Sequence, residues 1–190
     1  MTLKDGQAVH ANVARALTDL IGGRDIAATG SVEPGDAGSK VKQATFGSTF
    51  AEVAVNAHTG ETRVRRMLGT YAAGRILNPR TARSQCIGGL TWGIGMALTE
   101  EMQHDPRHGQ VVNRDLAEYH IPVNRDVPDL EVHLLDERDD WAGPMQAKGI
   151  GELSICGSAA AVVNAIAHAS GVRVRDLPAT PDKVLAGLDD

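Results

Sequence analysis

Four glycines set inside a helical apolar pattern constrain this chain more than any other feature. Ile87, Leu90, Ile94 and Leu98 recur at three- or four-residue spacing, which predicts a helix, and Gly88, Gly89, Gly93 and Gly95 stand among them. Each glycine inside a helix costs about 1 kcal/mol relative to alanine. Such a helix persists only if packing offsets the loss, so the pattern predicts a helix pressed against another backbone or a ligand. The rest of the chain shares the bias: 21 glycines and only 3% aromatic residues among 190 suit a scaffold with many tight backbone approaches, not an aromatic-lined binding face.

Around that segment the sequence predicts an α+β fold, with hairpins and a mixed sheet packed with helices in a single domain over residues 1–190. Residues 7–21 place Val9, Val13, Ala16, Leu17 and Leu20 at helical spacing ahead of Gly22-Gly23, which predicts a first helix. From Ile26 to Gln43 the chain is polar and turn-rich, with Gly30, Pro34, Gly35 and Gly38, and reads as an extended connection ordered by contacts from elsewhere. Residues 46–55 and 62–68 are rich in β-branched and apolar side chains and flank a five-residue loop, so they read as a hairpin. A second hairpin-like stretch is expected within residues 104–129, then a strand over 130–135 with Leu130, Val132 and Leu134 on one face. The alanine-rich run 154–169 reads as a buried helix ended by Gly171, with Ile155, Ala159, Val162, Val163 and Ile166 inward, and the tail as a strand, a turn and a short helix.

Composition closes off several functions. The formal charge of −5 and the scatter of basic residues among acids argue against nucleic acid as a partner. The one dense basic cluster, Arg63, Arg65 and Arg66, reads as a solvated strand face. No stretch approaches the roughly 18 apolar residues of a membrane span, and the N-terminus has no export-signal pattern. Cys86 and Cys156 make no metal pair, and neither has a His–Asp pair in sequence to activate it. His104 and His108 are four apart, but Pro106 and Gly109 place them in a turn, so no protein metal site is expected.

Two constellations could carry chemistry. In Lys148-Gly149-Ile150-Gly151-Glu152, glycines ahead of a helix let the backbone approach an anion. The competing reading is a tight turn in which Glu152 favours the helix start through its dipole, worth about 0.3–1 kcal/mol. In Arg75-Ile76-Leu77-Asn78-Pro79-Arg80-Thr81, followed by Gln85, amide and guanidinium groups would suit a phosphate or a pterin edge. Here the competing reading is an ordinary helix cap with surface arginines.

Three segments in order decide between these readings. FGSTFAEVAVNAHTGETRVRRMLGTYAAGRILNPRTARSQCIGGLTWGIGMALTEEM, NRDLAEYHIPVNRDVPDLEV and AKGIGELSICGSAAAVVNAIAHASGVRVRDLPATPDKVL together resemble the C-terminal part of the molybdopterin-binding large subunit of the xanthine dehydrogenase and aldehyde oxidase family, closest to its bacterial aldehyde oxidoreductases. The resemblance runs from about Thr29 to the end. It implies that Arg75, Ile76, Leu77, Asn78, Pro79, Arg80, Thr81, Gln85, Lys148, Gly149, Ile150 and Gly151 line a molybdenum–molybdopterin cofactor, in bacteria often the cytosine dinucleotide form. It implies Glu152 as general base, and molybdenum held by the pterin dithiolene with no side-chain ligand.

The implied activity is oxidation of an aldehyde, or hydroxylation of a related N-heterocycle, with oxygen from water. Electrons would pass to partner subunits carrying 2Fe-2S clusters and FAD. The family's large subunit is several times longer, so Met1 would begin a fragment, a truncated frame or a separately encoded piece, an incomplete portion of a larger cofactor-binding subunit that is inactive alone. A non-catalytic remnant or assembly module is the rival expectation, and an independent nucleotide-binding module has only the glycine spacing behind it. The expected location is the cytoplasm, or the periplasm if a signal-bearing partner carries the chain there.

Overall fold

A computed structural model describes residues 2–25, 27–31, 33 and 35–188. Ile26 and Pro34 of the expected connection therefore lie outside the described residues. The chain divides into two compact units, residues 1–37 and 38–190.

The first unit is an antiparallel meander of β1 (Thr2–Lys4), β2 (Gln7–His10) and β3 (Val13–Ala16), followed by the short helix α1 (Leu17–Ile21). The helix expected over residues 7–21 is thus mostly two strands. Asp5 and Gly6 connect β1 to β2 with φ of 49° and 72°, the positive pair that a two-residue hairpin turn of Asp-Gly type requires. Ala11, at φ 51°, helps to turn the chain again between β2 and β3. Val9 and Val13 fit a helical stripe as well as strands, and the turn chemistry beside them is what decided.

The second unit contains α2 (residues 37–40, from its second residue onward), β4 (Phe46–Val55), β5 (Thr62–Ala72), α3 (Pro79–Leu98), β6 (Asp129–Leu134), α4 (Ser158–Ser170) and α5 (Pro181–Leu188). The expected hairpin forms as β4–β5, and β6 joins β5 in parallel with Met67 opposite Leu130, giving a mixed sheet in the order β4-β5-β6. Parallel pairing needs a crossover connection, and α3 supplies it. The register shifts between Glu52 and Val53, where Glu52 faces Arg66 and Val53 faces Val64. Arg65 is the extra residue, so Val64 and Met67, three apart, both reach the core. Arg63, Arg65 and Arg66 are exposed, as expected for a solvated face, with Arg63 on Glu61 at 2.9 Å and Arg66 on Glu52 at 2.7 Å.

The core joins Val64, Met67 and Leu130 from the sheet to Leu90, Ile94 and Ala97 of α3, Ala159, Val162 and Ile166 of α4, and Val184 of α5. The glycines of α3 explain how closely α4 approaches. A Cβ added at Gly89 would lie 2.1 Å from Ser154 Oγ, and one at Gly93 would lie 2.1 Å from Ser158 Cβ. No other residue type fits either place without displacing its neighbour.

Three expectations shift. The hairpin-like stretch within 104–129 reduces to a single bridge, His104 to Val111, and a series of turns. The alanine-rich helix starts at Ser158 behind a turn that ends at Gly157, φ 87°. The tail forms its short helix but not its strand. Among the described residues no helix is long and apolar enough to cross a membrane.

Candidate functional site

The end of β5 and the segment before Glu152 are drawn together by backbone bonds. Lys148 N donates to Ala73 O at 2.8 Å, Arg75 N donates to Gln146 O at 2.7 Å, and Gly74 bridges to Ala147. Gly74 has φ of 65°, and a Cβ there would fall 2.6 Å from Gln146 O, so two strands of chain touch at a point where only glycine fits. The chain then enters α3 through Asn78, whose side-chain oxygen accepts from Arg80 N at 3.0 Å and Thr81 N at 3.2 Å, with Pro79 in the first helical turn. This is the N-cap that an Asn-Pro start favours.

Between these segments lies an open cleft of about 390 Å³. Every residue expected at a cofactor lines it except Pro79, Arg80 and Gly149, and Ala73, Ala82 and Ala147 complete the wall. Those three alanines escaped sequence reasoning because alanine carries no chemical signature; their place next to Gly74, in α3 and next to Lys148 was the available hint. Asn78 lines the cleft while its oxygen is committed to the helix cap. Gln85 Nε2 donates to Gly151 O at 2.7 Å, tying α3 to the glycine turn.

Lys148 lines the cleft, but its ammonium is bound by chain carboxylates, 2.6 Å from Glu137 Oε1 and 3.5 Å from Asp139 Oδ2. The hydrogen bond to Glu137 holds its pKa above the usual lysine value. Glu137 and Asp139 carry no sequence signal that separates them from other loop acids, and only the fold brings them to Lys148.

Glu152 follows Gly151 directly and is exposed, outside the cleft lining. Its carboxylate has no hydrogen-bond or ion-pair partner among the described residues. α4 begins six residues later behind Gly157, with no side-chain cap and no acid in its first turn, so the helix-capping role weighed for Glu152 has no contact to support it. Gly149 and Gly151 lie outside the left-handed φ region, and a Cβ at either would meet nothing within 4 Å. Neither the backbone nor packing within the chain calls for glycine there, whereas both matter at Gly74. Behind the cleft, burial pushes the Cys86 thiol up, partly offset by the neighbouring Ser154 hydroxyl. Among the described residues no three His, Cys, Asp or Glu side chains gather as a metal site.

The sequence pattern of a molybdopterin cofactor-binding domain matches residues 1–128. The chain belongs to the molybdopterin cofactor-binding family. Within that family it is 48% identical over 186 residues to the aldehyde oxidoreductase molybdenum-binding subunit PaoC of Escherichia coli K12, a match covering 98% of this chain and 25% of that protein. It is 37% identical over 144 residues to the probable hypoxanthine oxidase XdhD of the same organism, covering 76% of this chain and 15% of the relative. The aldehyde oxidoreductase of Desulfovibrio gigas shares the fold with a TM-score of 0.70 at 34% identity, over 77% of this chain and 16% of that one. The chain therefore spans about a quarter, or less, of the length of these relatives.

The cleft suits a molybdopterin. It offers a guanidinium at Arg75, a hydroxyl at Thr81 and an amide at Gln85 to a ring system rich in donors and acceptors.

Proposed function

We propose that this chain forms the C-terminal cofactor-binding region of a molybdenum-dependent oxidoreductase that oxidises aldehydes, or hydroxylates related N-heterocycles, with oxygen from water. The observation that carries this reading is the cleft, which brings residues 75–78, Thr81 and Gln85 together with Lys148, Ile150 and Gly151, two segments far apart in sequence, beside the exposed Glu152. When bound, the cofactor, in its cytosine dinucleotide form, supplies a two-electron acceptor in which the pterin dithiolene holds molybdenum.

The chain's own groups then have distinct tasks. Arg75 faces the anionic portion of the cofactor, and Thr81, Gln85 Oε1 and the backbone of residues 148–151 meet the pterin edge. Glu152 accepts a proton as the oxygen derived from water forms its bond to the electrophilic carbon. For that it must stand within hydrogen-bond reach of the reacting oxygen, and its carboxylate is exposed and engaged by no other side chain among the described residues. In sum, aldehyde and water yield a carboxylic acid, two protons and two electrons. The electrons leave through partner subunits carrying 2Fe-2S clusters and FAD, and the remaining segments of a large subunit close the pocket.

Glu152→Gln in the complete enzyme tests the assignment. Glutamine keeps the size but cannot take the proton, so molybdenum content should stay unchanged while substrate-driven reduction of the metal slows by about 10²–10⁴-fold, the usual range for a lost general base. A variant with full molybdenum and a rate within a few-fold of the parent would show that the base lies elsewhere.

A further inference from the structure

The turn that carries Glu152 is held from a side that the cleft does not show. A Cβ at Gly149 or Gly151 would meet nothing within 4 Å, so packing does not fix the turn at its glycines. Lys148, at the start of the turn, has a side chain only 10% exposed and reaches Glu137 and Asp139 on the 136–146 loop at 2.6 and 3.5 Å. That loop returns to the same place through Gln146, whose backbone oxygen accepts from Arg75 N at 2.7 Å and whose side chain donates to Asp140. At the other end, Gln85 Nε2 holds Gly151 O at 2.7 Å.

We propose that Lys148, Glu137 and Asp139 form a positioning clamp for the Glu152 turn, with Lys148 acting through the chain and not as a charge on the cofactor. The inference rests on the reading of Glu152 as the base. An ammonium already facing two carboxylates has little charge left to offer an anion, and a pair withdrawn from water is strongly directional. Removing Lys148 would leave Glu137 and Asp139 facing each other without a counter-charge, and the loop they stand on would move away from the turn. A displacement of about 1 Å at a reacting group can cost on the order of 10²-fold in rate, so a clamp remote from the chemistry still governs it.

Hydrogen exchange on this chain tests the clamp without any cofactor. In Lys148→Met, the hydrogen-bonded amides that join the loop to the turn, those of Arg75, Asp139, Gln146 and residue 148, should exchange at least about tenfold faster, since the clamp is the restraint that sets their opening. Those of β5 and α4 should not change. The double change Glu137→Gln with Asp139→Asn should have the same effect, and adding it to Lys148→Met should bring no further increase. Lys148→Arg, which keeps the charge, should restore most of the protection and serves as the folded control.

In the complete enzyme, Lys148→Met and the double carboxylate variant should both slow metal reduction per bound molybdenum by about ten- to a hundredfold. Unchanged exchange in Lys148→Met would overturn the clamp. So would a Lys148→Met enzyme that loses molybdenum while the double carboxylate variant keeps both content and rate, since Lys148 would then be a direct cofactor contact. Normal turnover in Glu152→Gln would remove the base assignment alone, and the exchange measurement would still decide the clamp.

Discussion

Lys148 keeps its proton further into alkali than a free lysine because its charge is bonded to Glu137 and faces Asp139. The sign follows from linkage: a lysine whose pKa is raised on folding contributes stability that is complete below its unfolded pKa and is lost as pH rises through the folded one. The urea midpoint of the parent chain should therefore exceed that of Lys148→Met throughout neutral pH. The gap should narrow only in alkali above the ordinary lysine value of 10.5, and a gap that closes below pH 9 would contradict the bonding described. Gln85 is the other residue with a single decisive bond. Gln85→Ala loses the tie to Gly151 O, which at an exposed position is worth about 0.5–1.5 kcal/mol, measurable as a lowered urea midpoint.

At the scale of elements, the glycines of α3 divide by what lies opposite them. Gly89→Ala and Gly93→Ala each drive a methyl to within 2.1 Å of α4 or its leading turn, so each should destabilise the chain by about 1–3 kcal/mol, the range for overpacked sites. Gly88 is exposed and a Cβ there meets nothing. Gly88→Ala should therefore stabilise the chain by up to about 1 kcal/mol, the helix propensity difference. Thermal or urea unfolding of the three variants separates these outcomes, and a destabilising Gly88→Ala would mean that α3 approaches something on that face even in this chain. The turn glycines behave differently again. Gly149→Ala and Gly151→Ala should leave unfolding nearly unchanged, and Gly151→Ala, at a position that lines the cleft, should lower molybdenum retention in the complete enzyme.

For the molecule as a whole, the match to PaoC covers 98% of this chain but 25% of that protein, and the cleft is open. An open cleft admits water and supplies only part of a cofactor's contacts. The purified 190-residue chain should therefore retain molybdenum far below one equivalent and should not oxidise an aromatic aldehyde with an artificial electron acceptor. Metal analysis and a dye-linked assay on one preparation check both. Stoichiometric molybdenum with turnover would show that the pocket is complete without further polypeptide.

The sequence by itself determined the β4–β5 hairpin, α3, β6, α4 as a buried helix and the need for a close partner at α3, because apolar periodicity and glycine placement are local records of burial. It also carried the family, since the matching segments occur in order along most of the chain. It did not determine residues 7–21, where one apolar spacing serves a helix and a pair of strands alike. Asp5-Gly6 outside the window settled that choice. Only the tertiary structure decided which glycines answer to packing and which face open space, that Lys148 turns to Glu137 and Asp139, and that α4 begins too late for Glu152 to cap it. The first two depend on pairs 9 to 65 residues apart, such as Lys148 with Asp139 and Gly89 with Ser154, and no local pattern encodes a partner at that distance.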